Sequence, residues 1–241
     1  MRAKAILALL LLGTAPAPRN EVLIFSGTTG YRHESIPAGI AAISRIARRQ
    51  GLSVRASEDP RVFSKAGLRG VRTIVFLSST TDPKNPASEW LTGSRREALQ
   101  DFVRSGGGVM AVHAAADSHY GWPWYTKLIG GRFARHPPGT PTGKLTVEDH
   151  NHPVTAGMPA TMRRSDEWYE FADYDPTSRL LVTLDPASIG EADVNPNPIS
   201  WTREVEGGRV FYTAMGHTAE SYSDPYVMRH LRNGLLWVSR R

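Results

Sequence analysis

The sequence predicts an α/β protein with a mainly parallel sheet covered by helices on both faces, and three observations carry that reading. Short, almost uninterrupted apolar runs, Glu21 to Gly27, Arg72 to Ser78 and Val109 to His113, read as strands buried on both faces. Stretches with apolar residues at helical spacing separate them, which is the rhythm of crossover units. Each apolar run empties into a polar loop.

The elements follow in order. After the first strand and the loop Thr28 to Glu34, Ser35 opens a helix with Pro37 in its first turn. Ile36, Ile40, Ile43 and Ala47 form its apolar face, and Gly51 ends it. Ser53 to Ser57 reads as a second strand and Arg72 to Ser78 as a third. Ser94 and Glu97 have capping-box spacing ahead of Leu99, Phe102 and Val103, and Gly106-Gly107-Gly108 closes that helix. Val109 to His113 is the fourth strand. In the second half, Trp122 to Ile129 reads as a short helix or turn, and Lys144 to Glu148 and Arg179 to Thr183 alternate like strands. Ile199 to Val205 and Arg209 to Ala214, joined by Glu206-Gly207-Gly208, form a hairpin. Tyr226 to Val238 closes the chain as an amphipathic helix with Met228, Leu231, Leu235 and Leu236 at core spacing. No repeat, low-complexity run or linker divides residues 21–239, so one domain is expected, with antiparallel strands added to one side of the parallel sheet.

Composition excludes several classes of function. The chain has 241 residues and no cysteine, which removes disulfides, thiolate metal sites and cysteine nucleophiles together. The net charge of +6 is dispersed rather than gathered into a basic stripe with interleaved aromatics, so nucleic acid is not an expected partner. Met1-Arg2-Ala3-Lys4, the apolar run Ala5 to Leu12 and Ala15-Pro16-Ala17 have the layout of a signal peptide over residues 1–17. That apolar run is much shorter than the ~20 residues that span a bilayer, so no stable membrane anchor is expected. The mature chain is then periplasmic or extracellular, with Arg2 and Lys4 removed and a net charge of +4.

In open α/β sheets ligands sit beyond the carboxyl ends of the strands. His33 follows the first strand, His113 ends the fourth with Asp117 and His119 just after it, and His217 follows the last strand, with Glu220 and Tyr222 nearby. Three histidines at equivalent exits point to one shared cleft. Asp166-Glu167-Trp168-Tyr169-Glu170 mixes acids with aromatics, a combination that suits a sugar's hydroxyls and its C–H face; a half-exposed strand is the equal alternative. Tyr31, His136, Trp122, Trp124, Trp168, Tyr169 and Tyr222 are the candidate substrate-binding residues, with His136 at the cleft rim. Asp149-His150-Asn151-His152-Pro153 reads as a turn rather than a metal site.

Phe25-Ser26-Gly27-Thr28-Thr29-Gly30-Tyr31-Arg32-His33, the run from Gly106 to Asp117, Asp166-Glu167-Trp168-Tyr169 and Ala214-Met215-Gly216-His217-Thr218 resemble, in order, motifs of the trehalose-utilisation (ThuA-like) family. The likeness runs from about Val22 to Val238. It implies a flavodoxin-like three-layer sandwich related to class I glutamine amidotransferases. It also implies a role in carbohydrate catabolism, through sugars or 3-keto-glycosides, and family members with leaders are often labelled secreted glycosyl hydrolases. The amidotransferase nucleophile is a cysteine on the turn that His113 enters here; this chain has none, so glutamine hydrolysis through a thioester is excluded.

Two function classes remain open. The first is a hydrolase or related enzyme on a glycoside or keto-sugar, with His113, Asp117, His33, His217 and Glu167 as the catalytic candidates. Histidine titrates near neutrality, and a divalent metal held by His with Asp or Glu would polarise a carbonyl or water. Asp117 and Glu167 are the one carboxylate pair open to two-carboxylate glycosidase chemistry. The second is a non-catalytic carbohydrate-binding or accessory protein using the same side chains. His113→Ala is expected to abolish ligand turnover or binding while barely changing thermal stability.

Overall fold

The computed structural model describes residues 20–192 and 197–240; the expected leader lies outside them. β1 (Glu21–Phe25) is buried from Val22 onward, as its unbroken apolar run requires. α1 (Ile36–Arg49) lays Ile36, Ile43, Ile46 and Ala47 on the sheet. Ser35 precedes it but does not cap it: its hydroxyl donates to the carbonyl of Gly216, 2.9 Å away, and so ties this helix to a distant strand exit. β2 (Ser53–Ser57) and β3 (Val71–Leu77) follow. α2 (Ser94–Arg104) begins at Ser94 itself with Gly93 in the cap position at φ +51°, so the expected capping box does not form. Ser94 lies one residue too far into the helix for its side chain to serve the free amides.

β4 (Gly108–Val112) stops one residue short of the expected end. His113 instead opens a tight 3₁₀ turn through Ala116, with φ +51°. α3 (Pro123–Ile129) is the short helix expected there. The middle of the chain adds β5 (Arg132–Arg135), β6 (Thr142–Val147), β7 (Thr161–Ser165), β8 (Glu170–Ala172) and β9 (Arg179–Asp185). Of these, β5, β7 and β8 carry too few apolar residues to be read from periodicity. β10 (Asn197–Val205) and β11 (Gly208–Thr213) form the hairpin. Its turn is Glu206-Gly207, both at positive φ (+48° and +95°), the geometry that matches strand twist. α4 (Pro225–Val238) is capped by Asp224, whose carboxylate accepts from the amides of Tyr226 and Val227 at 2.9 Å each. It buries Val227, Leu231, Gly234, Leu235 and Val238, while Met228 and Leu236 are only half-buried. The face is rotated from the expected one so that Gly234 can lie against the Phe211 ring.

The main sheet has the order β2-β1-β3-β4-β11-β10-β9-β6-β7, and β5 pairs with β8 apart from it. The first five strands are parallel in the 2-1-3-4-5 order of a flavodoxin-like sheet; β10, β9, β6 and β7 extend it in antiparallel fashion. α1 and α4 pack together on the Phe211 face, and α3 covers the Tyr212 face, where the Trp201 indole donates to the Ile129 carbonyl at 2.7 Å. No described helix is long and apolar enough to cross a membrane.

This arrangement sends the ends of β1, β3, β4 and β11 to one edge of the sheet. At the opposite edge, where β4 begins, α4 approaches the strand closely. A Cβ built at Gly108 would lie 2.3 Å from the Val238 carbonyl oxygen, which is backbone and cannot rotate away. Gly108→Ala should therefore cost roughly 1–3 kcal/mol, read as a lowered urea midpoint with an unchanged slope.

Candidate functional site

The turn after β4 is the starting point. Positive φ at His113 swings its ring out of the strand direction and across the sheet edge. Nδ1 donates to the Ala214 carbonyl at 2.7 Å, and the Tyr212 hydroxyl donates to the His113 carbonyl at 2.9 Å. Because a carbonyl only accepts, Nδ1 carries the proton, and Nε2 is left as a lone pair in the neutral ring.

That lone pair points at three other polar groups. His33 Nε2 lies 3.1 Å from it, His217 Nδ1 3.3 Å and Glu167 Oε2 3.4 Å. His217 Nδ1 is also 3.1 Å from Glu167 Oε2, and the four ligand atoms lie within 4.8 Å of one another. Ligands on a tetrahedral zinc ion at ~2.05 Å are about 3.4 Å apart, so most of these edges already have the span of such a set. His136 reaches the other oxygen of Glu167, Nε2 to Oε1 at 3.3 Å, from the half-exposed rim. The closest edges of His33 and His217 are reached from loops after β1 and β11, and Glu167 comes from the loop between β7 and β8.

Asp166 holds two of these groups in place. It is fully buried, and its Oδ1 accepts from the amides of Glu167 and His217, both at 3.0 Å. Its Oδ2 accepts from the Gly216 amide at 3.0 Å, the Ser221 hydroxyl at 3.0 Å and Arg164 at 3.1 Å. One carboxylate thus binds the Glu167 loop to the His217 loop. Tyr222 is buried beneath, its hydroxyl donating to the Gly216 carbonyl at 3.2 Å.

The electrostatics follow from crowding in a buried place. Burial, reinforced by His113 and His217, lowers the pKa of His33 to about 3, so its ring is neutral. The hydrogen bond to Glu167 raises His217 despite its partial burial. Burial pushes Glu167 up, but the imidazoles of His113 and His217 beside it outweigh that and hold the carboxyl well below its usual range. Asp117 stands apart from the four: burial raises it to about 6, opposed in part by the hydrogen bond that Tyr120 donates to its Oδ1. Asp117 is therefore a carboxyl that changes charge near neutral pH beside the cluster.

The sequence-selected residues separate into groups. His33, His113, His217 and Glu167 come together, with Asp117, His136 and Tyr169 around them; the Tyr169 ring lies 4.5 Å from that of His113. Tyr31 stands at the mouth, 4.8 Å from the His33 ring and exposed. Trp168 is elsewhere: its indole is fully buried against Gly143 and Leu184 and donates to the Pro141 carbonyl at 2.8 Å. Trp122 and Trp124 stack on each other at 5.0 Å; Arg96 lies over Trp122 and the Trp124 indole donates to Glu206. His119 is buried among Trp90, Trp122 and Tyr125. The Asp149-to-Pro153 stretch is a turn in which Asp149 accepts from the Asn151 amide and His152 from that of Val154. Asp166-Glu167-Trp168-Tyr169 is a buried connection, not a half-exposed strand. The expectation that His113→Ala leaves stability untouched is also revised. The ring satisfies the Ala214 carbonyl, so its loss costs roughly 1–3 kcal/mol. Asp166 and Tyr120 had no role assigned; the position of Asp166 beside Glu167 is the one signal in the sequence that could have marked it.

The fold and the site define an α/β protein of flavodoxin-like topology that carries a buried histidine–carboxylate centre at the carboxyl ends of its parallel strands. The chain belongs to the ThuA family, described as trehalose utilisation, whose model matches residues 21–238. It is therefore a carbohydrate-related protein. A ThuA-like protein from Bacteroides uniformis has a similar structure, with a TM-score of 0.73 at 24% identity over 94% of both chains. One from Parabacteroides merdae reaches 0.69 at 19% identity, covering 92% of this chain and 90% of the other. A β-galactosidase from Rahnella sp. R3 shares the fold over 31% of its own length and 90% of this chain, with a TM-score of 0.57 at 13% identity. No curated protein matches in sequence.

Two outcomes follow. Asp166→Asn should unfold at a temperature several degrees lower, because an amide nitrogen would face donors and leave buried amides unpaired at a cost of roughly 1–3 kcal/mol. For Asp117, the folded pKa near 6 exceeds the ordinary 3.8, so the folded state is favoured by protonation and loses stability as pH rises from about 4 through 6. In chelator-treated protein, Asp117→Asn should have the unfolding free energy of wild type at pH 4 and a higher one at pH 8, by on the order of 1–3 kcal/mol.

Proposed function

We propose that this chain is an exported enzyme of carbohydrate breakdown in which His33, His113, His217 and Glu167 hold one divalent cation of the zinc class. Asp117 moves a proton to and from a bound sugar or 3-keto-glycoside. The observation that carries the reading is the convergence of three imidazole nitrogens and a carboxylate oxygen within 4.8 Å. Three nitrogens and one oxygen suit a borderline-soft cation, and the hydrogen bond from His113 Nδ1 to the Ala214 carbonyl is the outer contact that fixes a ligating imidazole.

The cation would polarise a carbonyl or hydroxyl oxygen of the sugar. The residues supply the rest. On a 3-keto-glycoside, the hydrogen on C2 is acidic because the neighbouring carbonyl takes up the charge. Asp117 as carboxylate accepts that proton. The C1–O bond then breaks, its electron pair leaves on the departing oxygen, and the proton held by Asp117 passes to that oxygen. Water adding across the resulting C1–C2 double bond completes a net hydrolysis with no oxidant or reductant. The pKa of Asp117 near 6 suits a group that must both take and return a proton. Glu167 has both oxygens against histidines, so it fits a ligand better than the second carboxylate of a glycosidase pair. Export rests on the leader-like residues 1–17, and N-terminal sequencing of protein from its host should find a mature start between about Ala15 and Asn20.

Metal analysis after zinc loading and gel filtration should find one ion per chain. His113→Gln and His217→Gln should each weaken binding on the order of 100-fold or more. Affinity should rise from pH 6 to pH 8, because His217, raised above its ordinary value, must lose its proton to ligate. Turnover of 3-keto-trehalose or a 3-keto-glucoside should require the ion. No bound ion overturns the reading; bound ion and bound sugar without turnover would make the protein a binding protein.

A further inference from the structure

A cleft of about 910 Å³ opens beside the histidine cluster, and the proposed proton transfer uses only one of its lining residues. Tyr31 comes from the β1 exit, Asp82 from the β3 exit, Asp117 and Tyr120 from the β4 exit, and Arg132 and Phe133 from β5. Tyr31 is 64% exposed, unusual for a large aromatic in this chain, where Tyr226 is the other described example. Its backbone is held: the Thr80 hydroxyl donates to its carbonyl at 2.7 Å, and the Thr29 amide donates to the Thr80 carbonyl at 3.0 Å. Gly30, just before it, is packed so closely on the Thr81 backbone that a Cβ would sit 2.7 Å from the Thr81 oxygen. Facing chain segments supply Arg132, whose guanidinium lies 5.4 Å above the Tyr120 ring, and Tyr120 in turn donates to Asp117. Asp117, the proton carrier of the proposed reaction, thus faces this cleft.

An exposed aromatic on a well-held backbone beside a polar cleft is how proteins hold the C–H face of a ring, while fork and carboxylate groups take its hydroxyls. We infer that this cleft is the subsite for the leaving-group half of a glycoside, a second ring joined through the glycosidic oxygen. Tyr31 is its stacking face, Arg132 and Asp82 are its polar contacts, and Asp117 sits where the bridging oxygen enters. The inference rests on the sugar-cleaving reading above and adds to it that specificity is set on the leaving-group side, by residues outside the cation cluster.

Calorimetric titration of the zinc-loaded chain tests it with methyl α-glucoside, phenyl α-glucoside and trehalose, each also in its 3-keto form. Ligands with a second ring should bind at least tenfold more tightly than the methyl compound. Tyr31→Ala and Arg132→Ala should each remove most of that advantage without changing the one-ion stoichiometry. An advantage shared by phenyl glucoside and trehalose supports stacking of any ring; one confined to trehalose supports a polyhydroxylated ring, and one confined to phenyl glucoside an aryl group. Binding of methyl glucoside with no gain from a second ring, or a gain that survives both substitutions, overturns the subsite while leaving the sugar reading intact. Failure of all six compounds to bind the zinc-loaded chain overturns both.

Discussion

The buried carboxylate of Asp166 is the constraint on which the site depends. Glu167 and His217 lie 50 residues apart in sequence on loops that have no strand pairing with each other. Their amides meet on one oxygen of Asp166, and the Gly216 amide and Ser221 hydroxyl meet on the other. A charge buried this deeply is tolerable only because every lone pair has a donor and Arg164 is alongside. The same satisfaction makes the position unforgiving, since no neutral side chain of that size accepts five donors. Ser35 adds a second tie by donating to the Gly216 carbonyl, so the His217 loop is anchored to α1 as well.

The geometry also concentrates unfavourable terms that a cation would relieve. Three imidazoles packed at 3.1 to 3.3 Å cannot all be charged, and the burial that lowers His33 to about 3 forbids the simple remedy of protonation there. A carboxyl raised to about 6 stands beside them. Backbone strain at His113, with φ +51°, belongs to the same pattern. Such features are costly to stability and are expected where a site is arranged for a ligand rather than for folding. The fold meets the cost with a large apolar core that runs through four of the five parallel strands, β1, β3, β4 and β11.

Much of the fold was legible because its signals are local. Continuous apolar runs gave β1, β3 and β4, and Glu206-Gly207-Gly208 gave the hairpin that ends in β11. The shared position of His33, His113 and His217 just past strand ends was legible for the same reason, since the ends of parallel strands fall on one edge. What failed depends on backbone conformation and contacts that residue spacing does not report. The Ser94 and Glu97 spacing is right for a capping box, but Gly93 at positive φ occupies the cap. The α4 face turns because Gly234 must meet Phe211, and no periodicity reports that. Trp168 reads as a sugar platform from composition, yet its indole is taken into the antiparallel extension by the Pro141 carbonyl. Asp166 was visible as one acid among several; that it accepts from two loops at once is a fact of three-dimensional contact alone.

X-ray absorption at the zinc edge, on protein loaded with one equivalent, addresses the central claim most directly because it reads the ligands themselves. The account predicts four nitrogen or oxygen neighbours at about 2.0–2.1 Å with the outer-shell scattering of three imidazole rings. An ion surrounded by oxygen alone, or by no more than one imidazole, would contradict it.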